Sequence, residues 1–477
     1  MRKLALALIA AAPLAACAVG PGYRPAALPP GAAAPFISSG PATTADQPVP
    51  GNWWRLYDDP VVDRLVQEAL TKNQDLKVAA ANLAYAQGLL GEQRVGLLPS
   101  TSLTASGDYG RRAAVTPGGP RAEAGWTYQG GFTAAYEVDL LGRVRRAIEA
   151  ARGNAQAVQA AEDAVRVAVA AGTAQAYANA CGFGEELASA RQSQQVAQQT
   201  YDLTLVQRNA GVVSDFDLAR AATSLEQARA AVPALDGQRR NALFELAALM
   251  GRTPSQVPTE AQACVTPPRI ATALPVGDGA ALLRRRPDVR QADRQLAAAT
   301  ARIGVAVAGL YPQVTLGGSI TDTAANTQGL KAPGAVAFSV GPLISWSVPN
   351  IGVARARIRE SQAQASGALA SFDAVVLQAL KEAEQALTTY NAELARHGAL
   401  DAADRQAAEA FRLARVQYEA GAASFLDLLT AQASYIQAHQ ALAGSDLSLA
   451  GDQVAVFKAL GGGWENAPAV SPLPPPR

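Results

Sequence analysis

The feature that most constrains this chain is that it carries one structural programme twice. The segment AGVVSDFDLA at residues 210–219 returns as AGAASFLDLL at residues 420–429, and an offset of 210 carries Gly211 to Gly421, Ser214 to Ser424, Asp217 to Asp427, Leu218 to Leu428 and Gly251 to Gly461. An offset of 213 pairs Asp75 with Asp288, Leu83 with Leu296, Gly96 with Gly309 and Pro99 with Pro312. Two halves written to one plan must build equivalent parts of one structure.

What each half contains follows from where proline is missing. No proline lies between Arg121 and Val232, and residues 144–210 are dominated by Ala, Gln, Arg and Glu. At about 1.5 Å per residue this predicts a rod of roughly 100 Å. A second helix over 213–250 contains Pro233 as a kink. Residues 351–420, also free of proline, and a helix to about 460 repeat the pair in the second half. Upstream, residues 60–96 set Val62, Leu65, Val66 and Ala69 on one helical stripe. Gly211 and Gly421 stand where a rod ends and the chain turns back, the usual place for a left-handed helix stop.

Each half also predicts a β-hairpin, over 97–139 and 310–348. The stretch YQGGFTAAYEVDL spaces Tyr128, Phe132 and Tyr136 by four, with small or polar residues between. That alternation favours a membrane barrel strand, with a soluble sheet on a helical protein as the alternative. Four strands cannot close a barrel, since small barrels use about eight, and open edges cannot face lipid because each unpaired backbone group would cost several kcal/mol. If these strands enter a membrane, the chain oligomerises.

The first residues, MRKLALALIAAAPLAAC, have two basic residues, a short apolar run and small residues before Cys17, the layout of a signal peptide over 1–16. Residues 14–17 read as a lipobox, which makes Cys17 the lipid attachment site. Ala18 is not the aspartate that retains lipoproteins at the inner membrane, so sorting to the outer membrane is expected. Residues 17–52, rich in Pro, Ala and Gly, read as an extended tether. Residues 53–254 and 280–462 are the two repeats, 255–279 the linker between them and 463–477 a disordered tail.

Composition closes off other classes. A net charge of +1 offers no basic stripe for nucleic acid, and the run Arg284, Arg285, Arg286 reads as a solvated helix start. His397 and His439 are the only histidines, in helical contexts that suit structural roles. With no metal-ligand spacing, nucleophile elbow or phosphate loop, no enzyme, cofactor or metal is expected. Cys181 and Cys264 are either buried thiols or a bridge.

The WWRLYDDP entry, the NQDLKVAAANL and RRRPDVRQADRQL pair, the LYPQVTLGG strand and the two G-x-x-S-x-x-D-L tips together resemble the TolC-like outer membrane efflux proteins, in their NodT/OprM-type lipoprotein branch. The resemblance covers the whole mature chain. It implies a mainly α fold with a transmembrane β-barrel: in a homotrimer, four strands per chain complete one twelve-stranded barrel, continuous with a helical periplasmic tunnel that carries an equatorial girdle. It implies the passive exit duct of an RND-type tripartite pump in the outer membrane of a Gram-negative bacterium, with a periplasmic adaptor and an inner-membrane transporter as partners. Gly211, Val212, Asp217, Gly421 and Ala422 then belong to adaptor-contacting tips. Asp427 takes the position of a family carboxylate that narrows the periplasmic entrance, flanked by Phe425 and Leu428. A second acidic position of the family, three residues on, is Thr430 here. The plain alternative for Asp427 is a carboxylate stabilising a helix N-terminus. The family fold puts Cys181 and Cys264 at one height in the girdle, where a bridge needs Cα atoms about 4.4–6.8 Å apart. Type I secretion and a pore-free periplasmic coiled coil are the competing readings.

Overall fold

A computed structural model of the protein describes residues 18–111, 123–332, 334–346 and 351–471. The chain is mainly helical. Its contacts divide it into two units: the first draws on the residues up to Ala26, on Ala84–Val158 and on Ala292–Phe372, the second on Ala27–Leu83, Gln159–Gln291 and the residues from Asp373 onward.

The helices follow the expected rods. They are α1 (Pro60–Lys72), α2 (Gln74–Val95), α3 (Arg143–Asn209), α4 (Asp215–Leu249), α5 (Pro287–Ala308), α6 (Ile351–Glu419) and α7 (Phe425–Ala459). Pro233 sits inside α4, which continues through it as one helix. The single helix expected over 60–96 is instead two. Asn73 separates them, its Oδ1 accepting from Leu76 N at 3.1 Å to cap α2 and its Nδ2 donating to Leu249 O at 2.9 Å. The amide thus ties the break to the end of α4.

The sheet belongs to the first unit: β1 (Ser100–Gly110), β2 (Gly125–Val138), β3 (Gln313–Ala324) and β4 (Val336–Ser345) pair in that order, all antiparallel. Register decides its chemistry. Leu103, Phe132, Ile320 and Phe338 lie side by side in one row, and Ser102, Thr133, Ser319 and Ser339 in the next. Because successive residues point to opposite faces, one face collects Trp126, Tyr128, Val314, Leu316, Val340 and Ile344, and the other collects Thr127, Gln129, Thr315 and Thr321.

The second unit holds the main core. The WWRLY turn buries Trp53 and Trp54 completely, and Trp53 stacks on Phe457 with ring centroids 4.9 Å apart. Leu65, Val66 and Ala69 of α1 pack into the same core, together with Tyr177 and Ala180 of α3.

Three further expectations are corrected. Residues 17–52 are not a free tether as far as they are described: Phe36 and Val49 are buried, and Thr43–Thr44 pairs in parallel with Leu274–Pro275. The tail expected to be disordered from 463 is docked up to Val470. Trp464 Nε1 donates to Arg285 O at 3.2 Å, its ring receives the Arg290 guanidinium 4.6 Å away, and Ala467 and Val470 pack on the core. An indole able to bury its ring while satisfying its N–H outweighs the loop-like composition around it. Finally, Arg284 to Arg286 do not start a helix in solvent. Arg285 ends the helix Gly279–Arg285, and the buried Arg286 binds Asp288, Glu382 and Ala459 O.

Candidate functional site

Both helix tips are built in the same way. At the end of α3, Gly211 has φ 75°, its N–H donates to Arg208 O and Val212 N–H donates to Gln207 O. At the end of α6, Gly421 has φ 74°, with bonds to Tyr418 O and from Ala422 N–H to Gln417 O. This is a two-bond left-handed cap, and glycine is there because a side chain resists positive φ. Gly251 and Gly461 close α4 and α7 with the same pattern.

The next helices open on reciprocal caps. Ser424 Oγ accepts from Asp427 N at 3.2 Å, while Asp427 Oδ2 accepts from Ser424 N at 3.0 Å and from Ser424 Oγ at 2.6 Å; Ser214 and Asp217 repeat the arrangement. The Ser424 hydroxyl, and then its backbone N–H, hold the Asp427 carboxyl below the usual range. Thr430 returns its hydroxyl to Leu426 O at 2.7 Å and adds no charge.

The flanking side chains divide by exposure. Phe425 and Leu428 are buried with Ala221 in a small cluster joined by Tyr201, Phe411, Tyr418 and Leu429, which binds the two tips to each other. Gln432, itself buried, accepts from Thr200 Oγ1 at 2.6 Å, and Tyr418 donates to Gln207. Outward face Gly211, Val212, Gly421, Ala422, Phe216 and Leu426. Arg220 covers the Phe216 ring at 4.7 Å, and Arg208 pairs with Asp215. Sequence reasoning identified the glycine stops and Asp427 but not Gln432 or Tyr418, whose partners sit on other helices, nor the exposed Phe216.

Away from the tips, Cys181 of α3 and Cys264 form a disulfide with Cα atoms 4.8 Å apart. The segment around Cys264 is fastened further: Arg239 donates to Cys264 O at 3.1 Å, and the buried Gln453 amide bonds both Ile270 N and Ile270 O at 3.0 Å. Asp446 takes up Arg269 and His397, and burial followed by the charge of Arg269 lowers the imidazole pKa. His439 faces Asp404 at 3.2 Å. Both histidines therefore join helix to helix.

Cys17 lies outside the described residues. The residues after it run along the first unit: Val19 N–H donates to Leu141 O, Arg146 donates to the Val19 and Gly20 carbonyls, Gly20 rests against Gly304, and Tyr23 bonds Asp293. The first of these contacts fall at the segment joining β2 to α3. The sheet above that segment keeps its apolar face uncovered, with Leu103, Phe338 and Val340 each more than 80% exposed. Among the described residues no helix is long and apolar enough to cross a membrane.

Comparison with known proteins agrees with this arrangement. The model of the "Outer membrane efflux protein" family matches residues 65–252 and again 280–462. Nodulation protein T of Rhizobium leguminosarum bv. viciae is 30% identical over 96% of this chain and 93% of its own length, and outer membrane protein OprJ of Pseudomonas aeruginosa is 30% identical over 98% and 97%. Among solved structures, the outer-membrane channel OprN superposes with a TM-score of 0.88 at 34% identity, covering 94% of this chain and all of that one. The Neisseria gonorrhoeae MtrE channel gives 0.80 at 26%, covering 94% and 99%. With two matches that between them take in both halves, this chain belongs to the outer membrane efflux protein family.

Proposed function

We propose that the chain is the passive exit duct of an RND-type tripartite efflux pump. It is anchored in the outer membrane through lipid on Cys17 and works as a homotrimer that exports small molecules delivered by an inner-membrane transporter and a periplasmic adaptor. The observation that carries this is the two-faced sheet. One face is apolar and exposed, the other is lined with hydroxyl and amide groups, and β1 and β4 are edge strands of the chain's own sheet. An apolar outer band over a polar interior is the pattern of a membrane barrel. Edges cannot be left open in hydrocarbon, so three copies pair β1 with β4 of the next chain and close twelve strands.

The two repeats supply equivalent wall, and the disulfide-fastened linker of residues 255–279 belongs to the girdle. The tips carrying Gly211, Val212, Asp217, Gly421 and Ala422 meet the adaptor. Asp427 narrows the entrance from its capping position, and the Phe425 and Leu428 packing holds that entrance at rest. The relative TtgC of Pseudomonas putida is named a toluene efflux pump outer membrane protein, which favours small-molecule cargo.

The test is the native mass and bilayer conductance of the purified full-length protein. Three copies per particle and discrete ion currents are expected. A stable single-copy particle that carries no current would refute the reading.

A further inference from the structure

The first unit carries a second feature, a groove of about 880 Å³ lined by α2, α3, α5 and α6 together. Two of its lining residues belong with the polar side of the sheet. Gln313, which lines it, lies in the hydroxyl-bearing register of β3 opposite Ser345, and Arg143, which also lines it, donates to Glu137 on the polar face of β2. The opposite side of α5 is occupied by the chain's own amino-terminal segment, where Gly20 meets Gly304. Two residues along a helix turn a side chain by about 200°, so Arg302 and Gly304 point to opposite sides.

Charge in the groove is uneven. Three arginines line it, Arg143, Arg302 and Arg357, against one carboxylate, Glu360. Arg143 is engaged by Glu137. Among the described residues Arg302 reaches only the neutral Asn154, at 3.3 Å, and neither Arg357 nor Glu360 has an ion-pair partner. With Glu137 counted, the local sum is three positive against two negative, or +1 per chain. Arg355 and Arg359, two residues either side of Arg357, fall on the other face of α6 and do not line the groove.

We infer that this groove is an anion-favouring segment of the duct, with Arg302 and Arg357 as the residues that set its preference for anionic over cationic small solutes. The inference rests on the duct reading. Threefold assembly brings six such guanidinium groups round one axis, and low-dielectric walls concentrate their field across a polar lumen. Because the Debye length is about 8 Å at physiological salt, the preference weakens as ionic strength rises.

The experiment measures the chloride-to-potassium permeability ratio of the purified full-length protein in planar bilayers under a salt gradient. Both arginines are exposed, so Arg302→Gln with Arg357→Gln leaves the packing intact. Removing six charges about a Debye length from the ions should lower the ratio about twofold or more at low salt, and Glu at both positions should lower it further. Arg355→Gln with Arg359→Gln should leave it unchanged. An unaltered ratio in the groove variants, or an equal fall in the Arg355 and Arg359 control, overturns the inference while currents continue. Absence of current from the parent chain rejects the duct reading and this inference with it.

Discussion

Leu428→Ala is the substitution that should loosen the tips most. Leu428 is 2% exposed, and its cluster holds Ala221 and Phe425 as further buried members. Truncation removes three carbon groups worth about 0.8 kcal/mol each. A cavity contribution adds to this, but a cluster so near two chain turns can partly collapse, which places the loss near the low end for such changes, about 2–3 kcal/mol. Because the cluster sits apart from the main core, the loss should appear as local opening of the tips rather than global unfolding. That corresponds to a rise of roughly 30- to 150-fold in the opening equilibrium. Hydrogen exchange measures it directly: amides of residues 428–433 and 205–209 should exchange faster by that factor while those around Trp53 and Phe457 keep their protection. Asp427→Ala removes only the exposed capping interactions and should speed exchange far less. If the two variants accelerate tip exchange equally, or if Leu428→Ala leaves it unchanged, packing does not hold the tips together.

Two further outcomes follow from the second unit. The Cys181–Cys264 bridge spans 83 residues. Constraint of the unfolded chain by a loop of that length amounts to about 4–5 kcal/mol, so a reductant should lower the Tm of the parent protein and leave that of the double serine variant unaffected. Burial, followed by the nearby charge of Glu393, pushes the Asp452 carboxyl up to about 6. Its folded pKa lies above the unfolded one, so its contribution is fully present below about pH 4 and is lost as pH rises through 6. Asp452→Asn should therefore raise Tm more at pH 8 than at pH 5, and equal shifts at both would refute this.

How much of this was legible depends on whether a residue's role is local. Gly211 and Gly421 could be read from sequence because a left-handed stop is a property of one residue and its own helix, whereas Gly251 and Gly461, which close their helices in the same way, showed only as a repeat-related pair. The caps at Ser214 and Ser424 are local in the same sense. The break at Asn73 was missed although asparagine is a good cap, because the side chain also needs Leu249 O, 176 residues away. Trp464 failed for a similar reason, its partners being Arg285 and Arg290. At the tips, Asp427 was recognised, whereas the division into buried Phe425 and Leu428 and exposed Leu426 and Phe216 depends on which neighbouring helix lies alongside. The groove arginines were missed because a charge acquires direction only once the helix face is known.

Whether the sheet is one part of a closed barrel in lipid can be read from spin labels placed along β4 in the membrane-reconstituted protein with its disulfide intact. Labels on cysteine at positions 337, 338, 339 and 340 report collision with oxygen, which concentrates in lipid, and with a water-soluble nickel chelate. The register predicts alternation: the positions of Phe338 and Val340 meet oxygen, and those of Ala337 and Ser339 meet the chelate. Uniform access of the chelate to all four positions would mean that both faces of the sheet stand in water, and would contradict the account.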